Sequence, residues 1–194
     1  REFRALALDD NDDLWIGTYK NGVYVYNNDS NTFEHLTQKD GLPHPETLAI
    51  FKDRDGNMWV GTGKGVSVWR EDEKRFDTFS STEKNNSLLG NIVEDIYQSR
   101  NGNIWVATQK GLNLYQPDTQ SFKRFSEQQG LPAPLIRAVS DGENEGLWLT
   151  TNKGIFLYDP YKQQALNYNS SSKFAGQNYY SSSLLKSSQG TFFT

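Results

Sequence analysis

The chain has 194 residues, 24 Asp and Glu against 20 Lys and Arg, a net charge of −4, and no cysteine. Without cysteine there can be no disulfide, thiolate metal site or Cys nucleophile. A clustered basic stripe and an apolar run near 18 residues are both missing, so neither a nucleic-acid groove nor a membrane span is expected within it.

In chain order, one five-residue phrase recurs: Leu14-Trp15-Ile16-Gly17-Thr18, Met58-Trp59-Val60-Gly61-Thr62, Ile104-Trp105-Val106-Ala107-Thr108 and Leu147-Trp148-Leu149-Thr150-Thr151. A worn fifth copy, Thr191-Phe192-Phe193-Thr194, ends the chain. Measured between Trp15, Trp59, Trp105, Trp148 and Phe193, the steps are 44, 46, 43 and 45 residues. A period of roughly 40–45 residues is that of a four-stranded β-propeller blade.

The second copy spells out one blade. Thr47 to Phe51 is an apolar, partly β-branched strand A, and the turn formers Asp53-Arg54-Asp55-Gly56-Asn57 close a hairpin. Strand B is Met58 to Thr62. Gly63-Lys64-Gly65 makes a tight turn, and Val66 to Trp69 alternates as strand C. After the charged turn Glu71 to Lys74, the more polar Arg75 to Phe79 is the outer strand D. The other C strands are Val23 to Tyr26, Leu112 to Tyr115 and Ile155 to Tyr158, and the other D strands centre on Phe33, Phe122 and Leu166. The D–A connection twice reads Gly-Leu-Pro, at Gly41-Leu42-Pro43 and Gly130-Leu131-Pro132. Helical periodicity is absent, so the expected class is all-β. The expected architecture is a single partial propeller over 1–194, with repeats near 1–40, 41–84, 85–129, 130–172 and an incomplete 173–194.

A sheet that buries both faces needs large wedges, so Trp15, Trp59, Trp105 and Trp148 are expected between blades. Thr18, Thr62, Thr108 and Thr151 are expected to satisfy backbone groups near the B–C turns. Lys20, Lys64, Lys110 and Lys153 fall five residues after each Trp and should line one rim. They read either as solvated turn residues or as a basic ring that attracts an anion. The aspartates of the A–B turns, Asp9 to Asp13, Asp53 and Asp55, are expected to be solvated.

The string Asp53-Arg54-Asp55-Gly56-Asn57-Met58-Trp59-Val60-Gly61-Thr62, then Gly65-Val66-Ser67-Val68-Trp69, resembles the two-component regulator propeller repeat. Asn101-Gly102-Asn103-Ile104-Trp105 and Leu112 to Tyr115 repeat it, and Gly-Leu-Pro precedes strand A as in that family. The resemblance covers nearly the whole chain. It implies the periplasmic sensor half of a bacterial membrane receptor, with oligosaccharides from polysaccharide breakdown as common ligands. The rest of the propeller, a transmembrane segment and a cytoplasmic kinase or diguanylate cyclase would then lie outside this chain. Seven blades would need about 310 residues. The chain is therefore expected to be a fragment whose open blade edges expose residues such as Phe3, Leu6, Leu184 and Phe192 and invite self-association.

Catalytic patterns are weak. His35 and His44 are isolated, with no ligand cluster for zinc. There is no Gly-x-Ser-x-Gly elbow, and Asp9 to Asp13 departs from calcium-loop spacing at Leu14. No cofactor, metal or catalytic residue is expected. Ligand-binding candidates are residues that break the repeat on the face carrying the D–A and B–C loops: Tyr19, the inserted Asn21, His44, Asn91, Glu94 and Arg137. Arg4 occupies the same repeat position as Glu94 and Arg137, eleven residues before its Trp. Polar groups with an aromatic platform suit a sugar. The alternatives are a propeller scaffold for protein interactions and, third, a polysaccharide-acting lyase or hydrolase.

Overall fold

A computed structural model of the chain describes residues 2–168 and the short strands 185–186 and 192–193. The described residues form four complete antiparallel sheets of four strands each. Blade one is β1 (Phe3–Leu8), β2 (Leu14–Thr18), β3 (Val23–Asn27) and β4 (Thr32–Leu36). Blade two is β5 (Thr47–Lys52), β6 (Met58–Thr62), β7 (Gly65–Arg70) and β8 (Arg75–Phe79). Blade three is β9 (Val93–Gln98), β10 (Ile104–Thr108), β11 (Gly111–Gln116) and β12 (Ser121–Phe125). Blade four is β13 (Ile136–Asp141), β14 (Leu147–Thr151), β15 (Gly154–Asp159) and β16 (Gln164–Asn167). The all-β reading holds, the helical turns being three-residue 3-10 segments such as Gln38–Asp40 and Glu127–Gln129.

A final pair, β17 (Leu185–Lys186) and β18 (Phe192–Phe193), puts Leu185 opposite Phe193 and Lys186 opposite Phe192. This is the register of Phe51 opposite Trp59 and Lys52 opposite Met58. The worn fifth copy thus pairs as strands A and B do elsewhere. The surroundings expected for Leu184 and for the Phe192 side chain lie outside the described residues.

Packing between blades runs in series, β1 on β5, β5 on β9 and β9 on β13, with no comparable contact from β13 back to β1 among the described residues. Each seam has its own apolar core. Trp15, Val23, Val25 and Leu36 of blade one meet Met58, Val60, Trp69 and Phe76 of blade two. Trp59, Val66 and Val68 then meet Ile96, Val106 and Phe122, and Trp105, Leu112 and Phe125 meet Val139, Leu149 and Tyr158. The free face of blade one exposes Phe3, Leu6 and Leu8 at 61%, 62% and 52%. Leu6 holds the repeat position of Ile96 and Val139, which are buried in seams.

The Trp wedges carry a second constraint. An indole N–H buried between sheets needs an acceptor. Trp15 donates to Asp9 Oδ2 at 3.0 Å, Trp59 to Asp53 Oδ2 at 2.8 Å and Trp105 to Ser99 Oγ at 3.3 Å. Each acceptor lies six residues before its Trp. This corrects the expectation of solvated A–B carboxylates: Asp53 is 3% exposed and also accepts from the backbone N–H of Asp55 and Asn57. In blade four the position is Gly142, where a Cβ would stand 2.4 Å from Leu157 Cδ1 and 2.9 Å from the Gly146 carbonyl oxygen.

The threonines behave as the sequence suggests. Thr18, Thr62, Thr108 and Thr151 donate to the carbonyls of Gly22, Gly65, Gly111 and Gly154 across the B–C turns, at 2.9–3.0 Å. Each hydroxyl also accepts a turn N–H, that of Asn21, Lys64, Lys110 or Lys153. Gly65 has φ +128°, and a Cβ there would lie 2.3 Å from the Phe79 carbonyl oxygen, so no side chain fits. Thr150, beside Thr151, is buried with its hydroxyl unpartnered among the described residues.

Three measurements check this reading. Asp53→Ala strands one buried indole N–H and two turn amides, and is expected to cost about 2–4 kcal/mol in chemical denaturation. Thr150→Val removes only an unpaired hydroxyl and should leave the melting temperature unchanged or raised. Thr62→Val, which breaks two buried bonds, should cost about 1–3 kcal/mol. The third is alkaline. Burial pushes the Tyr158 phenol up to about 12, and its hydroxyl donates to the Gln129 carbonyl at 2.6 Å. An unfolded phenol titrates near 10. The folded state therefore holds this proton more tightly, and the resulting stability is whole below about pH 10 and lost as pH rises towards 12. Tyr158→Phe should lose about 1 kcal/mol at neutral pH and show a shallower alkaline decline.

Candidate functional site

Antiparallel order puts the A–B and C–D turns on one face and the B–C turns and D–A loops on the other. On this second face every inner strand starts with the same irregularity. The ladder skips Arg4 between Phe3 and Ala5, Leu48 between Thr47 and Ala49, Glu94 between Val93 and Asp95, and Arg137 between Ile136 and Ala138. A bulged residue leaves the pairing, and its side chain is re-aimed. Three of the pattern-breaking residues, Arg4, Glu94 and Arg137, are these bulges. Sequence alone marks them as exceptions to the repeat; the cause of their freedom is visible only in the ladder.

The bulged side chains meet the B–C turns. Arg4 lies 4.9 Å from the Tyr19 ring centroid, and Lys20 lies 5.2 Å from the same ring. Glu94, 5% exposed, accepts from Gln109 Nε2 at 3.4 Å. Tyr19 and Gln109 hold one repeat position, four residues after their Trp. Glu94 Oε2 also faces Arg137 Nη1 across the seam at 3.7 Å. Glu2, Tyr19, Lys20 and Asn21 line a cleft of about 290 Å³ on blade one.

The remaining candidates are tied into the loops. Asn21 lends its carbonyl oxygen to His35 Nε2 at 2.6 Å, and its N–H donates to Thr18 Oγ1. His44 is half-buried, its Nδ1 accepts from the Glu46 N–H, and it lies 2.8 Å from where a Cβ on Gly63 would stand. Asn91 Oδ1 accepts from the Ser81 N–H and closes the 80–92 connection. His35 stacks on Tyr24 with ring centroids 4.2 Å apart, away from the bulge row.

Sequence reading missed the organiser of that connection, Arg124 on β12. Its guanidinium donates to the carbonyls of Thr82, Lys84, Ser87 and Leu88, at 2.7–3.2 Å. Leu88 fills the place of Leu42 and Leu131, seventeen residues before its Trp, and all three are buried. Constant spacing could have revealed Leu88 without a Gly-Leu-Pro. Nothing in the sequence links Arg124 to a loop some 40 residues earlier.

Two clefts open on the opposite face. One of about 680 Å³ lies between blades three and four, among Arg100, Asp141, Glu143, Glu145 and Tyr161. One of about 370 Å³ lies between blades one and two, among Asp10, Asp55, Trp69 and Glu71. Much of their polar lining already holds the seams together. Arg100 pairs with Asp141 at 3.1 Å, and Trp69 donates to Glu71 at 2.7 Å. Hydrogen bonds from both Lys74 and Trp69 hold the Glu71 carboxyl below its ordinary value. No group of three or more metal-ligating side chains converges among the described residues. Among those residues no helix is long and apolar enough to cross a membrane.

A solved structure similar to this chain is an extracellular domain assigned to a hybrid two-component system of B. thetaiotaomicron. It is 28% identical with a TM-score of 0.83, over 98% of this chain and 26% of that one. The chain thus spans about a quarter of that relative's length. Virginiamycin B lyase from Staphylococcus aureus (13% identity, TM-score 0.69, 98% of this chain and 61% of that one) shares the fold. So does PorZ of Porphyromonas gingivalis (17% identity, TM-score 0.59, 86% and 27%). No curated protein matches the chain. The family model for the two-component regulator propeller matches residues 41–64 and 87–110, in each case from the residue before the D–A loop leucine to the B–C turn lysine. Two segments of the chain thus match this repeat, and the same Trp, Thr and Lys positions recur in blades one and four.

Proposed function

We propose that the chain is part of the extracytoplasmic sensor of a bacterial transmembrane receptor, and that it binds a small polar ligand, an oligosaccharide, on the face of the B–C turns and D–A loops. Binding is passed to a cytoplasmic kinase or diguanylate cyclase. The observation that carries the reading is the 28% identity across 98% of the chain to an extracellular domain assigned to a hybrid two-component system. The lyase likeness, at 13% identity, speaks for fold alone. The bulge row supports the choice of this face. Arg4, Glu94 and Arg137 vary while the surrounding ladder stays constant, and Tyr19 adds a partly exposed ring beside them. A sugar offers hydroxyls to such polar groups and an apolar face to the ring.

The test is calorimetry of the chain against an oligosaccharide panel, with product analysis. Binding without turnover is expected; Tyr19→Ala and Arg137→Ala should each weaken it about fivefold or more, roughly 1–2 kcal/mol, and Glu94→Gln, which removes the charge beside Arg137, should alter it. Turnover of any saccharide defeats the sensor reading. Binding unchanged in all three variants defeats the placement.

A further inference from the structure

We propose that the ligand on this face is anionic, an oligosaccharide bearing carboxylate or sulfate groups, and that Arg137 is the side chain that selects it. The proposal rests on the sensor reading above and adds the charge of the ligand. Its first support is the distribution of charge between the two faces. Lys20, Lys64, Lys110 and Lys153 stand exposed on the four B–C turns, and those turns hold no acidic residue. The A–B turns of the opposite face carry Asp10, Asp12, Asp55, Glu143 and Glu145, all exposed except where they meet a seam. The B–C turns are therefore basic and the opposite turns acidic, although Glu46, Glu83 and Glu127 stand on the D–A loops beside the lysines and Lys153 lies 3.6 Å from Glu127. Such a field raises the local concentration of anions at the basic turns. The ammonium groups of Lys64 and Lys110 make no ion pair or hydrogen bond among the described residues.

The second support is the state of Arg137. Other arginines at the seams donate hydrogen bonds to carbonyls or a carboxylate. Arg124 holds four loop carbonyls, Arg54 donates to the carbonyls of Ser99 and Arg100, and Arg100 pairs with Asp141. The Arg137 guanidinium makes no hydrogen bond among the described residues, and its one ion pair there is long, 3.7 Å to Glu94. A charge-assisted N–H···O bond is about 2.7–2.9 Å. Glu94 thus neutralises the guanidinium without saturating it. The exposures agree: the Glu94 side chain is 7% exposed and that of Arg137 31%. The carboxylate sits beneath and the fork faces outward from a bulge. A planar fork with unspent donors matches a carboxylate or sulfate in two-point contact, which the point charge of a lysine cannot reproduce.

The experiment uses the chain with four probes: tetragalacturonate, its methyl ester (the same rings without charge), a sulfated chondroitin tetrasaccharide and neutral cellotetraose. The expected result is binding of an acidic probe that weakens with added salt. The methyl ester or cellotetraose should bind about tenfold more weakly or not at all. Arg137→Gln should abolish that preference, and Arg137→Lys should restore only part of it. Changing Lys64 and Lys110 together to Gln should flatten the salt dependence and lower affinity less than Arg137→Gln does. Melting curves confirm that each variant is folded. A neutral probe bound as tightly as the acidic ones, or selectivity intact in Arg137→Gln, overturns the proposal and leaves the sensor reading standing. No binding of any probe overturns both.

Discussion

Each sheet carries apolar side chains on both faces, so no blade is stable without a neighbour. The seam, rather than the blade, is the unit that folds. Its centre is the recurring Trp, whose ring buries about 150–250 Å². At about 25 cal/mol per Å² that is some 4–6 kcal/mol gross per wedge, before conformational entropy is subtracted. The ring brings an obligatory N–H into the same dry space. Asp9, Asp53 and Ser99 answer it from the A–B turn of the same blade. Burial of the wedge and geometry of the turn are thus one requirement. A carboxylate that holds its own turn amides and the indole N–H together fixes where the inner hairpin ends.

Close approach of the inner strands adds a second requirement. Two residues after the Trp stand Gly17, Gly61 and Ala107, and there the next strand A presses in. A Cβ on Gly17 would lie 2.6 Å from Thr47 Cγ2, and one on Gly61 would lie 2.6 Å from Val93 Cγ1. The phrase Trp-x-Gly-Thr therefore encodes a wedge, a gap and a turn clasp in four residues. Blade four departs from it twice, with Gly142 for the acceptor and Thr150 for the gap, and Trp148 is only half-buried, its ring packed edge-on at 4.6 Å against Tyr168.

These contacts explain what was legible in the sequence. Period, strand order, wedge and clasp all repeat, and repetition turns weak local signals into strong ones. Asp9 and Asp53 were misread because acidic turn residues are usually solvated, as Asp10, Asp12 and Asp55 are. Their constant distance of six from the Trp was the available clue. Arg124 was not legible because its partners depend on how a 13-residue connection lies across the next blade, which no local pattern records. The packing of the two histidines was also not legible, His44 against Gly63 and His35 stacked on Tyr24.

The bulge row shows how a repeat can be constant in structure and still vary in chemistry. Seam packing holds the position before each bulge, where Thr47, Val93 and Ile136 are buried, and the position after it, where Ala49 and Ala138 are buried. The residue between them is released from the ladder, so Arg, Leu, Glu and Arg are all accommodated there without altering register. Substitution at that point costs little stability, because the side chain is not part of a wedge. It changes the mouth of the propeller directly, because the bulge turns the side chain out of the sheet. Chemistry can therefore change at one residue per blade, while the Trp, Thr and small-residue positions keep the seams closed.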